Sequence, residues 1–231
     1  MELLRPNQQR AKLAILLVWA VFGIKMIALI SDVMQYSLLK SMANGELVTE
    51  PEKIANDMRE AIISLFYLVI FIGSIITFIQ WFRRAYFNLG LLSNNLSTTD
   101  GWASGAWFIP IMSLYRPYQM MKEMFIVTNL ILKTKVEGYR SMPSVKTVGV
   151  WWTFWIISNI LGNIVVRIQL NATAVDGMMT ATLCQIILGF FYLPLTLITV
   201  RLIKEYAFME IQLVNLQPVY SDSPFSTINK E

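Results

Sequence analysis

The chain has 231 residues, of which 55% are hydrophobic and 15% are charged, whereas a soluble domain carries roughly 25% charged residues. This composition excludes an ordinary soluble domain and predicts an all-α integral membrane protein. The net charge of +4 comes from basic residues beside apolar runs, not from a basic stripe with interleaved aromatic residues. It therefore indicates membrane orientation and argues against nucleic acid as a partner.

Four apolar runs predict four transmembrane helices. They cover residues 13–31, 61–80, 148–167 and 178–200, and each is close to the roughly 20 residues that a helix needs to cross the hydrocarbon. The first run is too long for a signal-peptide core and lacks a small-x-small cleavage site, so it predicts an uncleaved span. We expect one transmembrane domain over residues 1–216. The polar residues 217–231 predict a disordered tail.

The second helix has a clear start signal ahead of its apolar run. Thr49 and Glu52 have the spacing of a capping box, and Pro51 stands in the first turn. The pattern predicts a helix that begins near Glu50, runs unbroken through the second span and continues towards Leu92.

Lysine and arginine placement predicts the orientation. Basic residues flank the apolar runs in four places: Arg5, Arg10 and Lys12; Arg83 and Arg84; Arg116, Lys122, Lys133, Lys135, Arg140 and Lys146; Arg201 and Lys204. If all four groups are cytoplasmic, the positive-inside rule is satisfied and both termini are cytoplasmic.

The segment 101–118 is apolar and aromatic but is interrupted by Pro110, Arg116 and Pro117. Irregular backbone at membrane depth needs surrounding protein or a water-filled cavity. Because both flanks are predicted on one side, we expect a broken re-entrant or interfacial segment. The rival is a true crossing by about 102–121, which would place most of the following basic residues outside.

An amphipathic helix is predicted after Pro117. One face of it is marked by Met121, Met124, Phe125, Thr128, Ile131 and Leu132, which follow helical i, i+3, i+4 spacing. The apolar stretch 124–132 is too short to span, so this helix is expected at the interface or packed on the bundle.

A binding site is predicted where the second helix leaves the membrane. Trp81, Arg84 and Asn88 share one helix face, which we expect to meet the turn around Arg116 and Glu123. The alternative is an arginine pair that anchors the helix near lipid phosphates, with Trp81 in the aromatic belt. The full predicted binding set is Trp81, Arg84, Asn88, Trp102, Trp107, Arg116, Tyr118 and Glu123.

Polar residues inside the spans predict an alternative site, a path for a solute. Lys25 lies in the first span, where an ionisable group is costly, although snorkelling to the interface would also explain it. The other candidates are Asn159, Asn163, Arg167 and Gln185, for which interhelical hydrogen bonding is the simpler explanation.

Catalytic and metal chemistry have little support. The chain has no histidine, which removes histidine-ligated haem and zinc sites. The single Cys184 lies in an apolar run and is interpreted as a core residue, with an intermolecular or redox role left open. No nucleophile lies beside a base in the pattern. We expect no metal and no cofactor, and we favour a non-enzymatic protein, with a membrane-embedded lipid enzyme left open as a third hypothesis.

Three motifs resemble the pattern of a bacterial membrane family. They are Trp81-x-x-Arg84-x-x-x-Asn88, Gly101-Trp102-x-x-Gly105-x-Trp107-Phe108-x-Pro110, and Arg116-Pro117-Tyr118-Gln119 with Glu123. The family is catalogued as domain of unknown function 4328, and the resemblance covers about residues 60 to 205. It implies a multi-span bacterial membrane protein and carries no activity to transfer.

Together these patterns predict a non-enzymatic binding or interaction protein of the bacterial inner membrane. Its cytoplasmic basic and aromatic site would take an anionic headgroup, a small ligand or a partner membrane protein. The alternative is a small channel or transporter. Beyond the lipid bilayer, an anionic lipid, a partner membrane protein and a second copy of the chain are the partners to consider.

Overall fold

The structure is a computed structural model that describes residues 4–94, 96–140 and 144–216, and the predicted disordered tail 217–231 lies outside them. All regular structure in the described residues is helical. The helices are α1 (Gln8–Ala43), α2 (Glu50–Gly90), α3 (Asp100–Gly105), α4 (Arg116–Lys135), α5 (Ser144–Asn171) and α6 (Val175–Asn215), with a 3-10 turn at Met112–Leu114.

Four of these helices, α1, α2, α5 and α6, are long and apolar enough to cross a membrane. They contain the four predicted spans, which confirms the prediction of a helical fold with four helices able to cross a membrane. The 41 residues of α2 correspond to about 60 Å at 1.5 Å per residue, twice the roughly 30 Å hydrocarbon thickness. Long helices therefore extend well beyond the apolar spans.

The connection from α1 to α2 follows from local chemistry. Gly45 has φ of +76°, and the amides of Gly45 and Glu46 bond the carbonyls of Met42 and Ser41, which is a Schellman stop. At the start of α2, the Thr49 amide and hydroxyl donate to the Glu52 carboxylate at 2.8 and 2.9 Å. The predicted capping box and the unbroken helix from Glu50 are confirmed.

Backbone contacts link the spanning helices in the order α2, α1, α6, α5. Helix α1 packs against α2 and α6, and α6 packs against α5, whereas α2 and α5 make little direct backbone approach within the described residues. The segment before α1 is hydrogen-bonded to the C-terminal parts of α2 and α6, so α1 runs antiparallel to both helices. We call this end of the bundle the basic end; it holds residues 4–10 and the C-terminal parts of α2 and α6.

The opposite end is held by a polar network between α1, α2 and α6. The Gln185 amide donates to Asp32 at 2.8 Å, and the Ser31 hydroxyl donates to Glu60 at 2.5 Å. Arg59 in turn donates to the Ser31 hydroxyl at 2.7 Å. Since buried polar groups are costly when unpaired, this network fixes how the three helices meet.

The most buried part of the protein lies at the basic end. Helix α3 packs on α2, and α4 packs on α2, α5 and α6. The face of α4 that these contacts cover consists of Pro117, Met120, Met121, Met124, Phe125, Thr128 and Leu132. Within the spans, by contrast, many apolar side chains are exposed, as expected for surfaces that face lipid.

Candidate functional site

Asn88 joins three parts of the basic end. Its side chain exchanges two hydrogen bonds with the backbone of Arg5, at 3.0 Å from the Arg5 amide and 2.9 Å to the Arg5 carbonyl. Its amide also donates to Glu210 of α6 at 2.7 Å. Only 2% of Asn88 is exposed. This side chain therefore fixes the segment before α1 against α2 and α6.

Glu210 is a buried carboxyl group, 5% exposed, beyond the apolar span of α6. It accepts hydrogen bonds from the amides of Asn88 and Asn7, at 2.7 and 2.9 Å. Burial raises the pKa of the Glu210 carboxyl above its ordinary 4.5, against the opposing effects of both amides and of Arg84. Glu210 thus holds the segment before α1 in place. Because its pKa is raised, its carboxyl group balances the charge of Arg84 less fully than an exposed carboxylate would.

The raised pKa predicts how stability depends on pH. A carboxyl group whose pKa is higher in the folded state binds protons more tightly there, so its contribution is complete below pH 4.5 and is lost as pH rises through the folded value. We expect Glu210→Gln to flatten the fall in thermal stability as pH rises above 4.5. The exposed Glu137→Gln is the control, and an equally flattened profile there would contradict the assignment to Glu210.

Four arginines gather where the start of α1 meets the end of α2. Arg84 lies within electrostatic range of Arg10, Arg5 and Arg83 and of the Glu210 carboxyl. It is half-buried, and its guanidinium forms no hydrogen bond or ion pair with any residue that the structure describes. The result is a concentration of positive charge that the neighbouring carboxyl groups only partly balance.

The other three arginines each contact a neighbouring group. The Arg5 guanidinium lies 4.2 Å from the centre of the Phe87 ring, and Arg10 donates to the carbonyl of Gln80 at 3.2 Å. Arg83 pairs with Asp100 at 3.5 Å between exposed side chains, a type of ion pair worth roughly 0–1 kcal/mol. The contacts of Arg10 and Arg83 leave their guanidinium groups able to donate to an anion.

Trp81 belongs to the core of the basic end. It is fully buried, and its ring centre lies 5.5 Å from that of Phe78 and 6.1 Å from that of Tyr206. Its carbonyl accepts a hydrogen bond from Asn7. The helix face that carries Trp81, Arg84 and Asn88 is therefore directed towards the segment before α1 and towards the C-terminal part of α6.

Glu123 ties α4 to the loop after α2. It accepts hydrogen bonds from the Tyr86 hydroxyl at 2.7 Å and from the Ser97 amide at 2.8 Å. Arg116 instead donates to Gln119 at 3.4 Å and lies 5.6 Å from the ring of Tyr115. The predicted site residues are thus divided between two places, with Arg84 and Asn88 in one and Glu123 in the other.

Trp107 is the centre of an aromatic cluster that joins the segment 101–118 to α2 and α5. Its ring centre lies between 5.6 and 6.3 Å from those of Phe78, Phe82, Trp152 and Trp155. On the α5 side the cluster continues through Tyr118, which stacks on Trp152 at 6.2 Å. Trp102, in contrast, is 41% exposed.

A cavity of about 440 Å³ lies between α2 and α5. We call it the α2–α5 groove. Its walls are residues 71–79 of α2, 151–159 of α5 and 192–199 of α6, and Trp107 and Phe108 line the side towards the basic end. Ile75 and Phe108 line the groove and are also exposed, so the groove opens sideways onto the apolar surface of the spans.

Lys25 lies between two tyrosine rings. Its ammonium is 3.9 Å from the ring centre of Tyr67 in α2 and 5.0 Å from that of Tyr192 in α6, a cation–π arrangement that stabilises a charge away from water. Gln185 lies further along the α1–α6 contact and bonds Asp32. The structure thus gives both residues partners inside the bundle.

The remaining residues of the predicted solute path lie on α5. Asn159, Asn163 and Arg167 are exposed. The two asparagine amides donate to carbonyls of their own helix, those of Trp155 and Asn159. They do not bond Lys25 or Gln185 within the described residues, and the transport alternative stays a prediction.

Three residues of the basic end escaped the sequence reasoning as site residues: Asn7, Glu210 and Tyr86. The usable signal was Glu210, a single acid between Met209 and Ile211 in an otherwise apolar stretch. An ionisable group in that setting requires partners. In the sequence, Arg5 and Arg10 indicated only the orientation of the first span.

Comparison with protein families identifies the chain. The model of the family described as Domain of unknown function (DUF4328) matches residues 44–207. The chain belongs to the DUF4328 family. The match includes Arg83, Arg84, Asn88 and the whole α2–α5 groove, whereas Asn7 and Glu210 lie outside it. No curated protein and no solved structure matches the chain.

Proposed function

We propose that this DUF4328 protein is a non-enzymatic binding protein of the bacterial inner membrane whose basic end holds an anionic lipid headgroup. One observation carries the proposal: Arg5, Arg10, Arg83 and Arg84 converge where α2 leaves its apolar span. Of the three ligands that the sequence suggests, an anionic headgroup best matches a cluster of cations at this depth.

Electrostatics supports an anionic occupant. Arg84 is repelled by the like charges of Arg5, Arg10 and Arg83, and this half-buried arginine has no bonded carboxylate among the described residues. The nearby Glu210 carboxyl is bonded by two amides and has a raised pKa. A phosphate oxygen would accept the charge-assisted hydrogen bonds that the guanidinium groups can donate.

The arrangement of the chain supports a cytoplasmic basic end with both termini cytoplasmic. Residues 4–10, α3, α4 and the end of α6 all meet there, and most basic residues flank the spans on this side, as the positive-inside rule requires. Both flanks of the segment 101–118 also pack at the basic end. This supports a segment that enters and returns, followed by an amphipathic α4 that packs on the bundle.

The proposal predicts a measurable headgroup preference. Basic residues near an anionic surface contribute roughly 1 kcal/mol each, so losing two should reduce the preference for anionic lipid by about tenfold or more. We expect Arg83→Gln/Arg84→Gln to show this loss. The measurement is the ratio of phosphatidylglycerol to phosphatidylcholine that stays bound to the purified protein in native mass spectrometry.

The control removes the same charge from another part of the chain. Lys133→Gln/Lys135→Gln neutralises two exposed lysines in the last turn of α4 and should leave the ratio within about twofold of the unsubstituted protein, since exposed charges are screened beyond about 10 Å. An unsubstituted protein without anionic preference, or equal losses in both variants, would overturn the proposed function.

A further inference from the structure

We propose that the α2–α5 groove holds one acyl chain of the phospholipid whose headgroup lies on the basic end. The inference rests on the proposed function for the headgroup and adds a second site, for the chain. It makes the ligand a whole lipid that enters sideways from the bilayer, and not a soluble phosphate compound.

The size of the groove favours a hydrocarbon chain over a helix of a second copy. One turn of a helix 10 Å across already occupies roughly 420 Å³, so a cavity of about 440 Å³ would be filled by a single turn. A spanning helix has about five turns. A flexible chain, in contrast, can follow a groove whose lining is mostly apolar, and lipid chains are what surrounds the exposed faces of α2 and α5.

The depth of the groove matches one leaflet. Its walls on α2 and α5 extend from Phe71 to Ile79 and from Trp151 to Asn159, which is about 12 Å of helix in each case. The hydrocarbon core is roughly 30 Å thick. Both walls lie in the half of their spans nearer the basic end, so the groove accepts a chain from that leaflet alone.

Helical spacing places a cation just beyond the groove. Ile79 lines it, and Arg83 follows Ile79 by four residues, so the two side chains are neighbours on one face of α2. The Arg83 side chain is exposed and holds Asp100 only weakly. A lipid chain alongside Ile75 and Ile79 would therefore bring its phosphate to Arg83 and the adjoining arginine cluster.

Aromatic rings close the groove towards the basic end. Trp107 fills the space between Phe78, Phe82 and Trp155, which leaves a chain only the sideways entrance. The position of Trp107 explains why irregular backbone is tolerated in the segment 101–118. The segment forms one wall of the groove and is itself packed against α2 and α5.

The test fills the groove with a larger side chain and compares the result with the same substitution on the adjoining face of α2. Ile75 lines the groove and is 38% exposed, whereas Ile76 is 50% exposed on the adjoining face and does not line it. We expect Ile75→Trp to lower retained phosphatidylglycerol in native mass spectrometry by about fivefold. Ile76→Trp should retain as much as the unsubstituted protein. Unchanged retention in Ile75→Trp would overturn the chain site.

Comparison with the arginine variant separates the two proposals. If Arg83→Gln/Arg84→Gln lowers retention and Ile75→Trp does not, the headgroup site stands and the groove inference fails. If only Ile75→Trp lowers it, the chain site stands and the headgroup proposal fails. If neither does, both fail.

A second measurement requires no substitution and remains decisive if Ile75→Trp does not fold. Phosphatidylglycerol with a photoreactive diazirine on its chain is added to the unsubstituted protein, and the labelled residues are mapped. Labelling concentrated on residues 71–79 and 151–159 supports the inference. Labelling spread evenly over the four spans, or a dimer that excludes lipid from the groove, would overturn it.

Discussion

Replacing Asn88 with alanine is expected to lower the free energy of unfolding by about 3 kcal/mol. The substitution removes two hydrogen bonds to the Arg5 backbone and one to the Glu210 carboxyl. Hydrogen bonds to charged groups contribute roughly 1.5–3 kcal/mol, and buried groups left unpaired add their own cost. The shift would be measured as the change in the midpoint of reversible denaturation in detergent micelles.

An asparagine with a different role provides the control. Asn163 is also helical, but it is exposed and donates only to a carbonyl of its own helix. Asn163→Ala should change stability by no more than about 0.5 kcal/mol, as is usual for surface positions. Equal losses in both variants would show that Asn88 does not join the chain start to α2 and α6.

Asn88→Ala also bears on the proposed function. Because Asn88 holds the Arg5 backbone, its loss releases one of the four arginines from the cluster. The variant should therefore lose part of its preference for anionic lipid even at temperatures where it is folded. A stability defect with unchanged lipid preference would separate the structural role of Asn88 from the headgroup site.

Trp107→Ala is expected to cost about 3–5 kcal/mol, the range for removing a large aromatic side chain from a packed site. The ring contacts Phe78 and Phe82 of α2 and two tryptophans of α5. Trp107 therefore bridges α2 and α5, beside the direct contact of the Phe78 and Trp151 rings at 6.2 Å. Thermal denaturation in micelles would measure the effect.

Trp102 is the matched control in the same segment. It is 41% exposed, so Trp102→Ala should cost less than about 1 kcal/mol. A cost for Trp102→Ala equal to that of Trp107→Ala would mean that the segment as a whole, and not the Trp107 ring, carries the contact. Trp107→Phe should recover part of the stability, because a smaller ring keeps some of the packing.

Local signals in the sequence predicted local structure well. The capping box placed the start of α2 at Glu50, as observed, because a cap depends on residues within one helical turn. The four apolar runs predicted the four long helices, since crossing the hydrocarbon demands length and hydrophobicity and little else. Helical spacing also placed Trp81, Arg84 and Asn88 on one face of α2.

Local sequence signals could not predict which residues distant in sequence contact each other. The face of α2 was expected to meet the turn around Arg116, and it meets Asn7 and Glu210, 74 or more residues away in sequence. Helical periodicity states which side chains share a face, but not which other helix covers it. Arg116 and Glu123 accordingly make separate contacts.

By itself, the sequence determined that this is a membrane protein with four long helices, because hydrophobic length and caps act locally. Only the tertiary structure decided that Trp107 lies between α2 and α5 and that Arg5, Arg10 and Arg83 gather around Arg84. That arrangement depends on which apolar and polar surfaces fit together when all the helices are packed, a property of pairs of distant segments and not of any one of them.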